Sequence, residues 1–130
     1  MQKETSLQTK LNTWLHLNAE KYWSVTMAHE LKRGEKSIPF SAVSDHQKAW
    51  LKACKHGVVC YKISDSSYGL KPFDGITFIK APAYVVLYFN STKLYYFIDI
   101  DDFLNEEKFC GRKSITSERA DLLSFLKVKI

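Results

Sequence analysis

No stretch of this sequence approaches the roughly 20 consecutive apolar residues that a membrane-spanning helix needs, and its opening, MQKETSLQTK, is too polar to read as a secretory signal. Only three cysteines occur, Cys54, Cys60 and Cys110, and no two of them form a CxxC pair. An odd count without that spacing argues against a disulfide scaffold or a structural zinc site, and His56 adds no zinc spacing to them. Internal repeats, low-complexity tracts and linker-like stretches are missing as well. The expectation is one reduced, soluble, cytoplasmic domain over residues 1–130.

What is present fits a packed globule. Hydrophobic residues make up 45% of the chain, enough to bury a core, so disorder is not expected. Aromatic residues reach 14% and concentrate in the second half, as suits a sheet with well-filled faces. Nineteen Lys and Arg against fourteen Asp and Glu give a formal charge of +5. That balance suits a polyanionic partner, although basic proteins without one are common.

Leu7, Leu11, Trp14, Leu15 and Leu17 recur near helical spacing and predict a first amphipathic helix over 5–20. Residues 22–31 read as a strand, because Trp23, Val25 and Met27 alternate with Ser24, Thr26 and Ala28. Lys32 to Lys36 then turn polar, with Gly34 to reverse the chain. Ser44 and Gln47 form a capping-box pattern ahead of Ala49, Trp50, Leu51 and Ala53, and Gly57 closes that helix. Strand-like runs follow at 58–63, 73–80 and 83–89. Asn90-Ser91-Thr92 matches a glycosylation sequon but reads more simply as the hairpin turn before LYYFIDI. A last helix is expected from Ser117 to Lys127. The order α-β-α-β-β-β-β-α predicts an α/β protein, a mixed sheet flanked by helices.

The most informative chemistry is Glu30-Leu31-Lys32. Residues two apart on a strand share a face, so the carboxylate and the ammonium would project together. A carboxylate can hold a hard divalent cation, which polarises a phosphate and acidifies a bound water. A lysine can orient that water or offset developing charge. The isolated triplet is also common on solvated strands.

The surrounding residues add context. Glu30, Lys32, Pro39, Phe40, His46 and Gln47 together resemble the RecU-type Holliday junction resolvases, members of the PD-(D/E)xK nucleases. There a Glu-Ala-Lys strand leads into Phe-Pro-Leu and a helix opening His-Gln. The strands AYVVLYF and KLYYFIDI are similar to the hairpin that follows that helix, so the resemblance covers roughly 22–104. It implies a restriction-endonuclease-like mixed sheet and a Mg²⁺- or Mn²⁺-dependent endonuclease acting on branched DNA. It also implies a homodimer, since paired cuts in a two-fold junction suit a symmetric pair.

The family places a further metal-binding Asp on a strand before the Glu-x-Lys strand, and no such strand is visible here. Asp74, in Lys71-Pro72-Phe73-Asp74-Gly75, is its natural replacement, which would require a rearranged strand order. The expected centre is then Glu30 and Asp74 on the metal, Lys32 assisting the water and Gln47 positioning it. The acidic residue of the family's first helix is matched by Glu20 or by Glu4.

Several features carry two readings. Gln47 needs no catalytic role to serve a capping box. His29 and His46 read more readily as hydrogen-bonding residues than as ligands. The polar segment 61–75 is either a turn or, through Lys62 and Lys71, a contact to phosphates. Asp99-Ile100-Asp101-Asp102 lacks an EF-hand pattern, and reads as core isoleucines between solvated aspartates near a helix cap. Arg33 and Lys36 join Lys62 and Lys71 as expected DNA contacts. The runner-up functions are a DNA-binding module of the same fold without catalysis, and a protein-interaction domain using Tyr84, Tyr88, Tyr95 and Tyr96.

Overall fold

The computed structural model describes residues 3–23, 27–63 and 74–130, with the backbone alone for 60–63 and 74–76. Its framework is a four-stranded mixed sheet in the order β1-β5-β6-β8. Strand β1 (Ala28–Gly34) runs parallel to β5 (Ala83–Phe89), with Glu30 opposite Val85 and Lys32 opposite Leu87. Strand β6 (Leu94–Asp99) returns antiparallel to β5 through a tight turn, and β8 (Leu126–Val128) pairs antiparallel with β6. β5 occupies an interior position, and all seven of its residues, AYVVLYF, are buried. An unbroken apolar run is what a strand covered on both faces requires.

Alternation along these strands sends successive side chains into two separate cores. On one face Tyr84, Val86, Tyr88, Tyr95 and Phe97 pack with Leu31 and with Leu7 and Leu11 of helix α1 (Glu4–Tyr22). Burying each of those leucines contributes about 1.5–3 kcal/mol. Two hydrogen bonds pin the helix side of this core. Tyr95 Oη donates to the Leu7 carbonyl at 3.0 Å, and Trp23 Nε1 donates to Tyr84 Oη at 2.9 Å. On the opposite face Val85, Leu87, Phe89, Tyr96 and Ile98 meet Leu51 and Cys54 of α2 (Asp45–His56) and Phe103 of α3 (Ile100–Phe109). Among the described residues the chain is therefore a mixed α/β structure of four helices around an open sheet.

Two smaller ribbons occur among the described residues. Strands β3 (Val58–Ile63) and β4 (Asp74–Ile79) form an antiparallel pair, joined to α2 where Lys80 N–H donates to the Gly57 carbonyl. Strand β2 (Ser37–Pro39) pairs antiparallel with β7 (Ser114–Thr116), ahead of helix α4 (Ser117–Leu123).

The structure shifts several boundaries. Tyr22 ends α1, and β1 begins at Ala28 and runs on through Lys32 and Arg33, which were expected to lie in a turn. Helix α3 had been anticipated only as a cap near Asp102. The C-terminal helix stops at Leu123, and Phe125 N–H donates to the Phe97 carbonyl, which starts β8 where helix was expected. The tyrosines considered as an interaction surface are all in the core, none more than 7% exposed, which removes that reading.

Gly34 is required where β1 turns into β2. A Cβ there would lie 2.5 Å from the Ser37 carbonyl oxygen and 2.6 Å from Ile38 Cγ1, so backbone would have to shift to admit it. Gly34→Ala is expected to destabilise the protein by about 1–3 kcal/mol through overpacking. Urea unfolding measures this, and an unchanged midpoint would show that the turn relaxes freely.

Candidate active site at the edge of the sheet

Glu30 occupies a strand at one end of the sheet order, on the face that carries α2. Its neighbour Leu31 enters the α1 core, while Ala28, two residues earlier, enters the α2 core. The alternation therefore places Glu30 and Lys32 together, as the spacing requires. Lys32 is close enough for its charge to act on the Glu30 carboxyl.

The first turn of α2 comes to meet Glu30. Ser44 Oγ accepts from the Gln47 N–H at 3.1 Å, and Gln47 Oε1 accepts from the Ser44 N–H at 3.0 Å, completing a capping box. With its carbonyl end committed to the backbone, the Gln47 amide presents its NH₂ end to Glu30, where Nε2 donates to Oε2 at 3.3 Å. One side chain thus closes the helix and holds the carboxylate. The capping and positioning readings of Gln47 coexist in a single geometry.

Burial of Glu30 raises its carboxyl above the usual glutamate value; the Lys32 ammonium opposes this rise, and the Glu4 carboxylate adds to it. Glu4 opens α1, so the N-terminal end of that helix lies near the strand. Glu20 stands sixteen residues further along α1, roughly 24 Å at helical rise. Of the two acidic candidates, Glu4 is the one whose charge Glu30 feels.

His29 points to the opposite face. Burial depresses its imidazole, and its Nε2 lies 3.2 Å from Gln8 Nε2, an arrangement in which a neutral ring accepts from the amide. This matches the hydrogen-bonding reading. His46 is exposed in the first turn of α2. Arg33 and Lys36 are exposed around the Gly34 turn, which is braced by Asn90 N–H donating to the Gly34 carbonyl. Lys62 and Asp74 have defined backbone positions, opposite Gly75 and Ile63, but their side chains lie outside the described residues, as does Lys71 altogether.

The acidic stretch is structural. Asp99 caps α3 by accepting from the Asp101 N–H at 2.9 Å, and Ile98 and Ile100 are fully buried, as the sequence indicated. Lys55 binds both Asp99 and Asp101 at 2.7 Å, and His56 Nε2 lies 2.8 Å from Asp101. Burial acts to raise the Asp101 carboxyl, but the hydrogen bonds and charges of Lys55 and His56 outweigh it and hold it below the usual value. Lys48 pairs with Glu107 at 3.0 Å. The acidic residues therefore lie against α2 and offset two of its lysines.

Glu30 supplies the hard oxygen donor that a divalent cation prefers. The unfavourable effect of Glu4 on its charged form is one that a cation at this edge would relieve. Among the described residues no three His, Cys, Asp or Glu side chains converge as a metal-binding group. Gln8 and Glu4 went unremarked or unresolved in the sequence because helical spacing gives the buried face of α1, not which of its ends reaches β1.

The raised Glu30 carboxyl has a consequence for stability. A folded-state value above the unfolded one means that the native state holds this proton more tightly. Stability is then lost as pH rises from the ordinary glutamate value through the raised one. Glu30→Gln removes that loss, so the variant should match or exceed wild type in metal-free stability at neutral pH and converge with it, or fall below it, in acid. Urea titrations at pH 4 and 7 test this, and a variant markedly less stable at pH 7 would contradict it. No protein-family model, curated protein or solved structure matches this chain, so its functional reading rests on the residues themselves.

Proposed function

We propose that the protein is a metal-dependent DNA endonuclease with a restriction-endonuclease-like fold, centred on Glu30 and Lys32. The observation that carries this reading is the Glu30 carboxylate itself. It is partly desolvated, held by the Gln47 amide, and flanked by an ammonium on the same strand face. A structural ion pair at a strand edge does not need a helix-capping amide to orient its carboxylate.

Mg²⁺ or Mn²⁺ would be held by Glu30, with Asp74 or Glu4 as the second carboxylate. When bound, the metal supplies a polarised phosphate and a water of lowered pKa. The chain's own residues do the rest. Gln47 fixes which Glu30 oxygen is tied up, leaving Oε1 free of that bond. Lys32 places a positive charge next to the carboxylate, where it can orient the attacking water and offset charge on the phosphate. Arg33 and Lys36, exposed around the adjoining turn, would meet the DNA backbone, as would Lys62 and Lys71 on the sequence reading. Branched DNA, cut by a homodimer, is the preferred substrate on the sequence resemblance.

A second reading, a DNA-binding module without catalysis, is favoured by one observation: no three-ligand cluster occurs among the described residues. The two separate cleanly. Wild type and Glu30→Gln are compared on labelled four-way junction and linear duplex DNA, with and without Mn²⁺. The nuclease reading predicts Mn²⁺-dependent cleavage by wild type, reduced at least about 100-fold in the variant, with binding retained. Binding without cleavage by either protein would establish the module instead.

A further inference from the structure

A second surface lies beside this site. Helix α3 ends at Phe109, whose side chain is 74% exposed, with Lys108 Nζ 5.2 Å from the ring centroid. The chain then turns sharply through Gly111 at φ +71°, and the Arg112 N–H donates to Cys110 Sγ at 3.3 Å. A cleft of about 420 Å³ opens here, lined by Phe109, Arg112, Ser114, Arg119 and Glu106. Glu106 is the one acid in that lining, and Arg119 takes both of its oxygens in a fork. Arg112 and Lys113 have no side-chain partner among the described residues. The corner therefore combines an exposed aromatic ring with uncompensated positive charge.

Its position is fixed relative to Glu30. Lys48, the residue after Gln47, is bound to Glu107, two residues before Phe109. The Phe40 N–H donates to the Lys113 carbonyl at 3.0 Å, and β7 pairs with β2 along its whole length. The α3–β7 corner is thus tied twice to the segment that delivers Gln47 to Glu30.

We propose that this corner binds DNA by stacking an unpaired nucleobase on Phe109 while Lys108, Arg112 and Lys113 contact the flanking phosphates. An aromatic ring is a platform for any base, because every base has a π-face, and basic neighbours supply the backbone attraction that a lone aromatic lacks. The interior of a DNA duplex offers no free base face, so the surface selects single strands and branch points that carry unpaired bases. The inference rests on the proposed DNA substrate and gives it a structural preference.

The test uses the full chain in EDTA, so that binding is read without cleavage. Fluorescence anisotropy is measured on a single-stranded oligonucleotide, a four-way junction with unpaired bases at its centre, and a matched linear duplex. Phe109→Ala should weaken the first two by about tenfold, within the range for loss of one stacked base, while duplex affinity changes less than about twofold. Phe109→Trp should restore binding, and 2-aminopurine in the single strand should be quenched by wild type and Phe109→Trp but not by Phe109→Ala. Arg112→Ala should reduce the salt dependence by about one phosphate contact. Equal binding of all three DNAs by wild type and Phe109→Ala overturns the proposal, as does a uniform loss on all three. Stacking with no Mn²⁺ cleavage would remove the nuclease reading alone, and cleavage with no stacking would remove this surface alone.

Discussion

The Gln47 amide is the constraint on which the candidate site depends. Its oxygen is taken by the backbone of Ser44 and its nitrogen by Glu30. A shift of the first turn of helix α2 would release the carboxylate, whereas Glu30 swinging away would free Gln47 Nε2 and leave the capping box intact. The helix is in turn anchored by Leu51 and Cys54 against β5 and β6, so the orientation of one oxygen atom is set by the packing of the whole α2 face. Preorganisation of this kind lets a side chain at a sheet edge act as a fixed group.

The same economy explains why so short a chain carries additional elements. The β2–β7 ribbon and the Lys48–Glu107 pair close the space between the Glu30 strand and the C-terminal third. Gly34 allows β1 to enter that ribbon without a loop, since no side chain fits against Ser37 and Ile38. The acidic residues at 99–107 cap α3 and neutralise lysines of α2. Exposed positive charge lies at the Gly34 turn and at the Arg112–Lys113 corner, on either end of β2.

Much of this was legible in the sequence wherever a physical signal was local. The capping box at Ser44 and Gln47, the fully apolar β5 and the alternation of Glu30 with Leu31 were each predicted and observed. The start of β1 was placed too early because Trp23, Val25 and Met27 alternate well, whereas Tyr22 and Trp23 instead end a helix that packs aromatics on Tyr84 and Phe97. Its end was missed because Lys32 and Arg33 look like a turn, which is how an edge strand facing solvent reads. Strands β2, β7 and β8 are three residues each, too short for any period to show, and exist through pairing with distant segments. Helix α3 was hidden because its cap, Asp99, is also the last residue of β6. That Glu4 and not Glu20 approaches Glu30 follows from how α1 lies on the sheet, a tertiary fact with no local trace.

The proposed role of Glu30 requires a partly desolvated carboxylate that a divalent cation can bind. Selective ¹³C labelling of glutamate and NMR titration of the Glu30 carboxyl, assigned with Glu30→Gln, measures this directly with and without Mg²⁺. The proposed role predicts a pKa above the ordinary glutamate value in the metal-free protein, and a large downward shift when Mg²⁺ is added. An ordinary or depressed pKa that Mg²⁺ leaves unmoved would show that Glu30 is a paired surface carboxylate, and would contradict that role.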